Sequence, residues 1–361
     1  MCKTFHKEAE INVMNYTNNG ETIAIECRNL WKIFGDQAQE ALVAAQSGDV
    51  DKDSALEKFG CVIGVADASF SVKKGEIFCI MGLSGSGKST VIRHVNRLIE
   101  PTSGEVYVEG RDVMGLSDNE LRELRARKIG MAFQHMALWP HKKIAENVAF
   151  GLEVQKVPKN VRLAAAEDVL ERVGLGGWGD RYPDQLSGGM QQRVGLARAL
   201  AANPDILLMD EPFSALDPLI RNDLQNEFLA LSREVKKTTL FITHDLDEAM
   251  KMGDRVAIMK DGRIDQTGTP EEIVLHPKTD YVARFVGSMS TLKYLSASEI
   301  AVPGEISSDA PRFASDASLP MLIEALSEGV DHLVIMEGDT VIGRIGRPEL
   351  LGAVGRDLVR T

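Results

Sequence analysis

A short apolar run leads directly into a glycine-rich loop. The run EIFCIM covers residues 76–81, the loop GLSGSGKST covers residues 82–90, and the helical pattern VIRHVNRLIE follows. This order of strand, glycine loop and helix predicts an α/β fold. Further apolar runs, IGMAF, ILLMD, TLFIT and RVAIM, are separated by helical patterns. Such runs predict a parallel sheet covered by helices on both faces.

The glycine-rich loop matches the phosphate-binding pattern G-x-x-x-x-G-K-[ST] at residues 82–89. Glycines let successive backbone N–H groups converge on phosphate oxygens, and the start of the helix adds its positive dipole end. Lys88 is expected to reach the β- and γ-phosphates of ATP, and the Ser89 hydroxyl to bind Mg²⁺. The predicted phosphate-binding residues are Gly82, Ser84, Gly85, Ser86, Gly87, Lys88, Ser89 and Thr90.

Two carboxylates, Asp210 and Glu211, follow the apolar run ILLM. Asp210, at the carboxyl end of the predicted strand, is expected to hold Mg²⁺, and Glu211 to polarise a water molecule for in-line attack. An isolated pair of this kind is as often a strand that ends in a solvated turn, so the assignment depends on the upstream loop.

A second glycine-rich element, LSGGMQQR, spans residues 186–193 and opens a helical pattern. Ser187, Gly188 and Gly189 at a helix start predict a second anion site. One nucleotide has no obvious use for two such helix starts in one chain, so a second copy of the protein is indicated. For an isolated LSGG, the alternative is a serine N-cap with a glycine turn.

Together these motifs resemble the ATP-binding subunit of an ABC transporter. The resemblance rests on the phosphate loop, Phe133-Gln134, the LSGG element, the acidic pair, SALD at residues 214–217 and THD at residues 243–245. It implies the ABC ATPase fold, with a RecA-like parallel-sheet core, an antiparallel β subdomain and a helical subdomain at about residues 137–204.

The resemblance implies a homodimer that sandwiches its nucleotides. Ser187, Gly188 and Gly189 of one protomer, with Gln191 from the same element, are implied to contact the nucleotide held by Lys88 of the other.

Three further roles follow from the same resemblance. Gln134 is implied to sense both Mg²⁺ and the attacking water, His244 to contact the γ-phosphate, and Asp217 to link the two sites. An isolated histidine at a strand end is more often packed or solvated.

Longer segments narrow the resemblance to the branch that energises uptake of glycine betaine, proline or choline. They include NRLIEPTSGEV, ILLMDEPFSALDPLIR and a helical insertion after WKIFG. This branch implies integral membrane permease subunits as partners, an indirect link to a periplasmic or extracellular substrate-binding protein, and a peripheral place on the cytoplasmic face of the cell membrane. Trp139 and Pro140 are expected to contact the permease; a core position is the alternative for Trp139.

The insertion, at residues 36–58, separates two Phe-Gly pairs that begin at Phe34 and Phe59. Short helices are predicted at residues 37–46 and 53–58, with Asp51 or Asp53 as a cap. The family places an aromatic ring against adenine, a π contact tolerant of sequence. If the two ends of the insertion are neighbours, both exposed-looking rings border one adenine pocket; Phe34, at the end of a predicted strand, is the favoured choice.

We expect an N-terminal extension at residues 1–20, the ATPase domain at residues 21–285, and a linker with a small module at residues 286–361. Residues 317–357 resemble a single CBS module, with strands HLVIM and TVIGRI around the turn EGD. One module cannot form the usual intramolecular pair, so pairing across the dimer is a hypothesis. A degenerate stabilising tail is the alternative.

The net charge of −12 argues against nucleic acid as the main partner. The four cysteines, Cys2, Cys27, Cys61 and Cys79, lack metal-ligand spacing and are expected to be reduced and structural. A charged, polar N-terminus without an apolar stretch predicts a cytosolic chain. A soluble ABC-type ATPase of DNA repair or translation, or an importer subunit for another small solute, remains the alternative function.

Overall fold

The computed structural model describes residues 17–18, 21–134, 136–287, 295–304, 306–307, 310–327 and 330–350. The chain divides into two compact units, Met1–His244 with Met259–Ile264, and Asp245–Ile258 with Asp265–Thr361. Apart from Thr17 and Asn18, the expected N-terminal extension lies outside the described residues.

The first unit contains four parallel strands, in the spatial order β4, β9, β8, β7. Their bounds are β4 Ile77–Met81, β7 Ile129–Ala132, β8 Ile206–Asp210 and β9 Thr238–Thr243. Every residue of β4, β8 and β9 is buried, as expected for strands covered on both faces. The parallel sheet predicted from the apolar runs is confirmed.

An antiparallel sheet in the same unit is built around one long strand pair. Its strands are β1 Thr17–Asn18, β2 Glu21–Phe34, β3 Val62–Lys73, β5 Ser103–Val108 and β6 Arg111–Asp112. Phe34 pairs with Val62, so the two ends of the insertion are neighbours, as expected.

The insertion forms two short helices, α1 Ala38–Gln46 and α2 Lys52–Phe59. Asp51 caps α2, because its carboxylate accepts a hydrogen bond from the Ser54 backbone N–H at 2.9 Å. Of the two predicted caps, Asp51 is therefore the correct one. Helix α1 buries alanine and leucine side chains, and α2 buries Ala55, against Trp31 and Ile33 of β2, which gives the insertion a small core of its own.

The remaining helices of the first unit are α3 Lys88–Val95, α4 Asp118–Arg127, α5 Ile144–Val148, α6 Phe150–Val154, α7 Lys159–Arg172, α8 Gly188–Ala201 and α9 Pro218–Val235. Among them, α3, α4 and α8 pack against the parallel strands, whereas α5, α6 and α7 pack against α8. Between residues 137 and 204 the described secondary structure is helical, as the periodicity predicts.

The second unit ends in a small α/β module. The helices of the second unit are α10 Leu246–Met252, α11 Pro270–Leu275, α12 Asp280–Val286, α13 Ala297–Ile300 and α14 Leu319–Ser327. The strands of the module are β12 Arg312–Ala314, β13 His332–Glu337 and β14 Thr340–Gly346. Strands β10 Arg255–Lys260 and β11 Arg263–Gly268 have residues in both units.

The hairpin predicted around the EGD turn is present, because β13 and β14 are antiparallel. Strand β12, which the sequence does not predict, runs parallel to β13. The core of the module joins Ala297 and Ile300 of α13 to Leu322, Leu333 and Ile345. Residues 351–357 of the expected CBS-like module lie outside the described residues. Within the described ranges, no helix combines the length and apolar composition that a membrane span requires.

Candidate nucleotide site

The glycine-rich loop begins where β4 ends, and two of its glycines are sterically required. Gly82 has φ +157° and Gly87 has φ +103°, both in the region that favours glycine. A Cβ atom would lie 2.1 Å from the Met259 carbonyl oxygen at Gly82 and 2.1 Å from the Gly64 carbonyl oxygen at Gly87. The loop is therefore held tightly between neighbouring backbone segments.

The loop also contains a buried polar atom that has no partner among the described residues. Ser86 is 5% exposed, and its Oγ makes no hydrogen bond there. Such an orphaned group at a glycine-rich helix start fits an anionic ligand that accepts a hydrogen bond from the hydroxyl. Ser84 and Gly85 are exposed, and the Thr90 N–H closes the first turn of α3 onto the Gly87 carbonyl.

Lys88 is buried and bound to the loop that it follows. Its Nζ donates hydrogen bonds to the carbonyl oxygens of Gly82 at 2.8 Å and Leu83 at 3.0 Å. Burial lowers the pKa of Lys88, opposed by the charges of Glu211 and Asp210 and by Cys79. A desolvated ammonium at the base of the loop is suited to an anionic phosphate.

Asp210 is fully buried at the carboxyl end of β8. Its Oδ1 accepts a hydrogen bond from Ser89 Oγ at 2.8 Å, and Arg93 lies 3.3 Å from Oδ2. Adjacent oxygen ligands of an octahedral Mg²⁺ are about 2.9 Å apart, since each Mg–O bond is about 2.05 Å. The Ser89 and Asp210 oxygens are thus spaced as two such ligands would be.

The Glu211 carboxylate contacts residues that follow two neighbouring strands of the sheet. Its Oε2 lies 3.1 Å from Gln134 Nε2 and 3.0 Å from His244 Nδ1. Gln134 follows β7, Glu211 follows β8 and His244 follows β9, and the carboxyl ends of parallel strands share one edge of a sheet. Glu211 has φ +50°, in the left-handed region that non-glycine residues uncommonly adopt.

The LSGG element lies at the start of α8. Ser187 caps this helix by accepting the Met190 N–H at 3.3 Å, and Gly188 is exposed. Gln191 Nε2 donates to the carbonyl oxygens of Pro183 at 2.8 Å and Leu186 at 3.2 Å, so it braces the turn before the helix.

Gly189 of the LSGG element is near Leu216. Asp217, which is expected to link the two sites, caps α9 through the Ile220 N–H at 3.1 Å. Within the described part of the chain, the predicted residues of α8 and α9 form no hydrogen bond with the phosphate loop.

Sequence reasoning missed Gln192, which is 3% exposed. Its Nε2 donates to the Glu211 carbonyl oxygen at 3.1 Å, and its Oε1 accepts the Ala215 N–H at 2.9 Å. It therefore connects the LSGG helix to the acidic pair and the SALD loop. Its position one helical turn after Gly188 is the sequence signal that could have identified it.

Arg93, also missed, lies one turn after Ser89 on α3. This helical spacing predicts that the two side chains share one face of α3, and in the structure both contact Asp210.

The two aromatic rings of the insertion have different surroundings. Phe34 is 41% exposed and covers Gly64, where a Cβ atom would lie 2.8 Å from the ring. Gly64 in turn contacts Gly87 of the phosphate loop. Phe59 is half-buried against the core of the insertion, so the expectation of two exposed rings is wrong for Phe59.

Trp139 is half-buried beside the helical region. Its ring centroid lies 4.0 Å from that of Phe150, and the Asn147 amide binds both backbone groups of Trp139, at 2.8 Å and 3.1 Å. Pro140 is exposed.

Comparisons with known proteins point in one direction. Residues 65–214 match the protein family described as ABC transporter. The chain is 48% identical to the glycine betaine/proline betaine transport system ATP-binding protein ProV of Escherichia coli, over 92% of this chain and 83% of ProV. It is 52% identical to the glycine betaine/carnitine transport ATP-binding protein GbuA of Listeria monocytogenes, over 80% of this chain and 74% of GbuA.

Among solved structures, the chain is similar to the dimeric ATP-binding cassette MJ0796 in a post-hydrolysis state with ADP and phosphate. The TM-score is 0.59 at 32% identity, over 68% of this chain and 98% of the cassette.

Proposed function

This chain belongs to the family of ABC transporter ATP-binding subunits, and we propose that its ATPase drives uptake of a quaternary ammonium solute: glycine betaine, proline betaine or choline. The observation that carries the proposal is the convergence of Gln134 and His244 on Glu211, next to the Ser89–Asp210 pair. The names of the relatives support the class of solute.

In the proposed reaction, Glu211 accepts a proton from water as the water oxygen attacks the γ-phosphorus. The bond from the γ-phosphorus to the bridging oxygen breaks, and ADP and phosphate are released. Gln134 and His244, both in contact with Glu211 Oε2, orient the carboxylate and the water. Lys88 and the loop N–H groups hold the β- and γ-phosphates.

We assign Mg²⁺ binding to Ser89 and Asp210, and we place Gln134 at the edge of this metal site. Mg²⁺ neutralises charge on the phosphate oxygens when it is bound. Among the residues that the structure describes, no group of three or more His, Cys, Asp or Glu side chains could hold a metal ion. A small set of protein oxygens is typical of Mg²⁺, which keeps several waters and shares the substrate's phosphates.

The working unit in this proposal is a homodimer with its nucleotides at the interface. Ser187, Gly188 and Gly189, supported by Gln191, complete the site of the other protomer, and Asp217 links the two sites. The dimeric cassette to which the chain is similar supports this arrangement.

The chain acts with integral membrane permease subunits, and we place it peripherally at the cytoplasmic face of the membrane. The segment around Trp139 and Pro140 is the proposed permease contact. Asn147, which is fully buried, fixes this segment through four hydrogen bonds of its side chain. The substrate-binding protein outside the membrane is linked only through the permease.

Uptake of labelled solute tests this proposal. Cells that lack the chain are complemented with the wild type or with Glu211→Gln, and uptake of glycine betaine, proline betaine and choline is measured at low and high osmolarity. We expect the wild type alone to restore uptake of at least one of the three. Equal uptake of all three with and without the chain would reject the solute class.

A further inference from the structure

The insertion contacts the phosphate loop through Lys52. Lys52 is the first residue of α2, and its Nζ donates a hydrogen bond to the Gly85 carbonyl oxygen at 3.0 Å. Gly85 lies in the exposed middle of the loop, with φ +78°. The Lys52 side chain, which lies outside the segment formed by β4, the phosphate loop and α3, thus reaches the edge of the candidate nucleotide site.

The backbone that carries Lys52 is held in place. Asp51 and Ser54 form a reciprocal capping box at the start of α2, and Ala55 of this helix is fully buried. Ala55 packs in the same small core as Trp31 of β2 and Cys61, which precedes β3. The position of α2 is therefore fixed, while the four-carbon stem of Lys52 leaves its ammonium free to move by several ångströms.

The charge of Lys52 is not matched within the described part of the chain. No carboxylate described there lies within ion-pair distance of its Nζ, and the neighbouring Asp51 carboxylate is occupied by Ser54, through the backbone N–H and the hydroxyl. An ammonium has three donors, and a contact with an anionic phosphate oxygen adds a Coulomb attraction between opposite charges that a neutral carbonyl does not offer.

We propose that Lys52 is a second phosphate-binding cation of the ATP site, supplied by the insertion. Lys88 approaches from the base of the loop, whereas Lys52 lies on the insertion side at Gly85. When ATP binds, the Lys52 ammonium exchanges the Gly85 carbonyl for a phosphate oxygen. This inference rests on the nucleotide site proposed above, and it gives the insertion a direct part in ATP binding.

The same helix offers a matched control. Lys58, at the other end of α2, donates to the Asp49 carbonyl oxygen at 3.4 Å, a contact within the insertion. Both lysines are exposed or half-buried and both bind a backbone carbonyl, but Lys52 alone of the two contacts the phosphate loop.

Equilibrium binding of ATP, ADP and adenosine to the full chain tests the proposal. We expect Lys52→Ala to weaken ATP binding about threefold to tenfold, as for one charge-assisted contact at a partly exposed site, and Lys52→Glu to weaken it further. Adenosine binding should be unchanged in both variants. Lys52→Arg should retain most of the affinity, and Lys58→Ala should bind all three ligands as the wild type does.

Two results would overturn the inference. The first is ATP affinity in Lys52→Ala and Lys52→Glu equal to that of Lys58→Ala. The second is an equal loss of adenosine affinity, which would mean that Lys52 acts through the fold of the insertion. Both leave the proposed function standing, whereas a wild-type chain that fails to bind ATP would reject the proposed function itself.

Discussion

At the residue scale, Glu211 depends on contacts from three parts of the chain. Gln134 and His244 bind its carboxylate, and Gln192 binds its backbone carbonyl. The resemblance to ABC transporter subunits implied roles for the first two, through the motifs Phe133-Gln134 and THD. It did not predict Gln192, because the helical spacing from Gly188 places Gln192 on the same face of α8 but does not show which groups its amide contacts across the fold.

Replacing Gln192 tests this connection. Gln192→Ala leaves the Ala215 N–H without its partner and removes one of the donors to the Glu211 carbonyl, which keeps Ser214 Oγ at 3.0 Å. We therefore expect the free energy of unfolding to fall by about 1–3 kcal/mol. We also expect kcat to fall roughly tenfold with little change in ATP affinity, because Glu211 loses its support. Denaturant unfolding and steady-state ATPase assays measure the two effects. Lower stability with an unchanged kcat would restrict Gln192 to a packing role.

Replacing Phe34 and replacing Phe59 should have opposite effects on ATP affinity and on stability. Phe34→Ala should weaken ATP binding about tenfold with little loss of stability, since a base stacked on an aromatic ring gains about 1–3 kcal/mol. Phe59→Ala should lower the free energy of unfolding by about 1–2 kcal/mol and leave ATP affinity nearly unchanged, because its ring packs against the insertion core. Nucleotide titration and denaturant unfolding compare them. Equal and negligible losses of affinity would reject both rings as adenine contacts.

At the element scale, helix α3 joins the phosphate loop to a buried histidine. His94 is fully buried, and its Nδ1 lies 2.7 Å from the Ile99 carbonyl oxygen. Its Nε2 is buried without a partner among the described residues, which fits a neutral ring that donates from Nδ1. Burial lowers the pKa of His94 from 6.5 to about 4. The hydrogen bond with Ile99 raises this pKa, and the charge of Lys32 lowers it further.

This shift predicts how stability depends on pH. Between pH 6.5 and about 4 the unfolded chain binds a proton at His94 while the folded chain does not, so stability falls as pH falls through this window. The loss from this group reaches about 3 kcal/mol below pH 4. His94→Gln should remove that part of the pH dependence, and the exposed His141→Gln should retain it. Parallel pH curves for all three proteins, from denaturant unfolding, would contradict the assignment.

Elements whose own sequence carries a strong pattern could be predicted, whereas elements whose sequence carries a weak pattern could not. The buried strands β4, β8 and β9 contain the short apolar runs IFCIM, ILLM and LFI, and the capping residue and turn of the insertion predict α1 and α2. Strand β12 has only three residues, none of them buried, so its sequence lacks the pattern by which a strand is recognised. Its pairing with β13 depends on tertiary contacts.

At the scale of the whole molecule, the predicted phosphate contacts fall into two sets. Lys88, Ser89 and Asp210 lie together, whereas Ser187 and Asp217 cap helices without a hydrogen bond to the phosphate loop in the described part of the chain. The proposed second copy, which completes each site, accounts for both sets. The sequence predicted this because two glycine-rich helix starts are more than one nucleotide requires.

Formation of an ATP-dependent dimer by Glu211→Gln tests this account most directly. Glutamine has the size of the glutamate but cannot accept the proton, so hydrolysis should fall by about 10²–10⁴ while MgATP binding persists. Sedimentation of Glu211→Gln should then show a dimer with MgATP and a monomer without nucleotide or with Lys88→Ala added as a second substitution. A variant that hydrolyses ATP at the wild-type rate, or that binds MgATP and remains a monomer, would contradict the account.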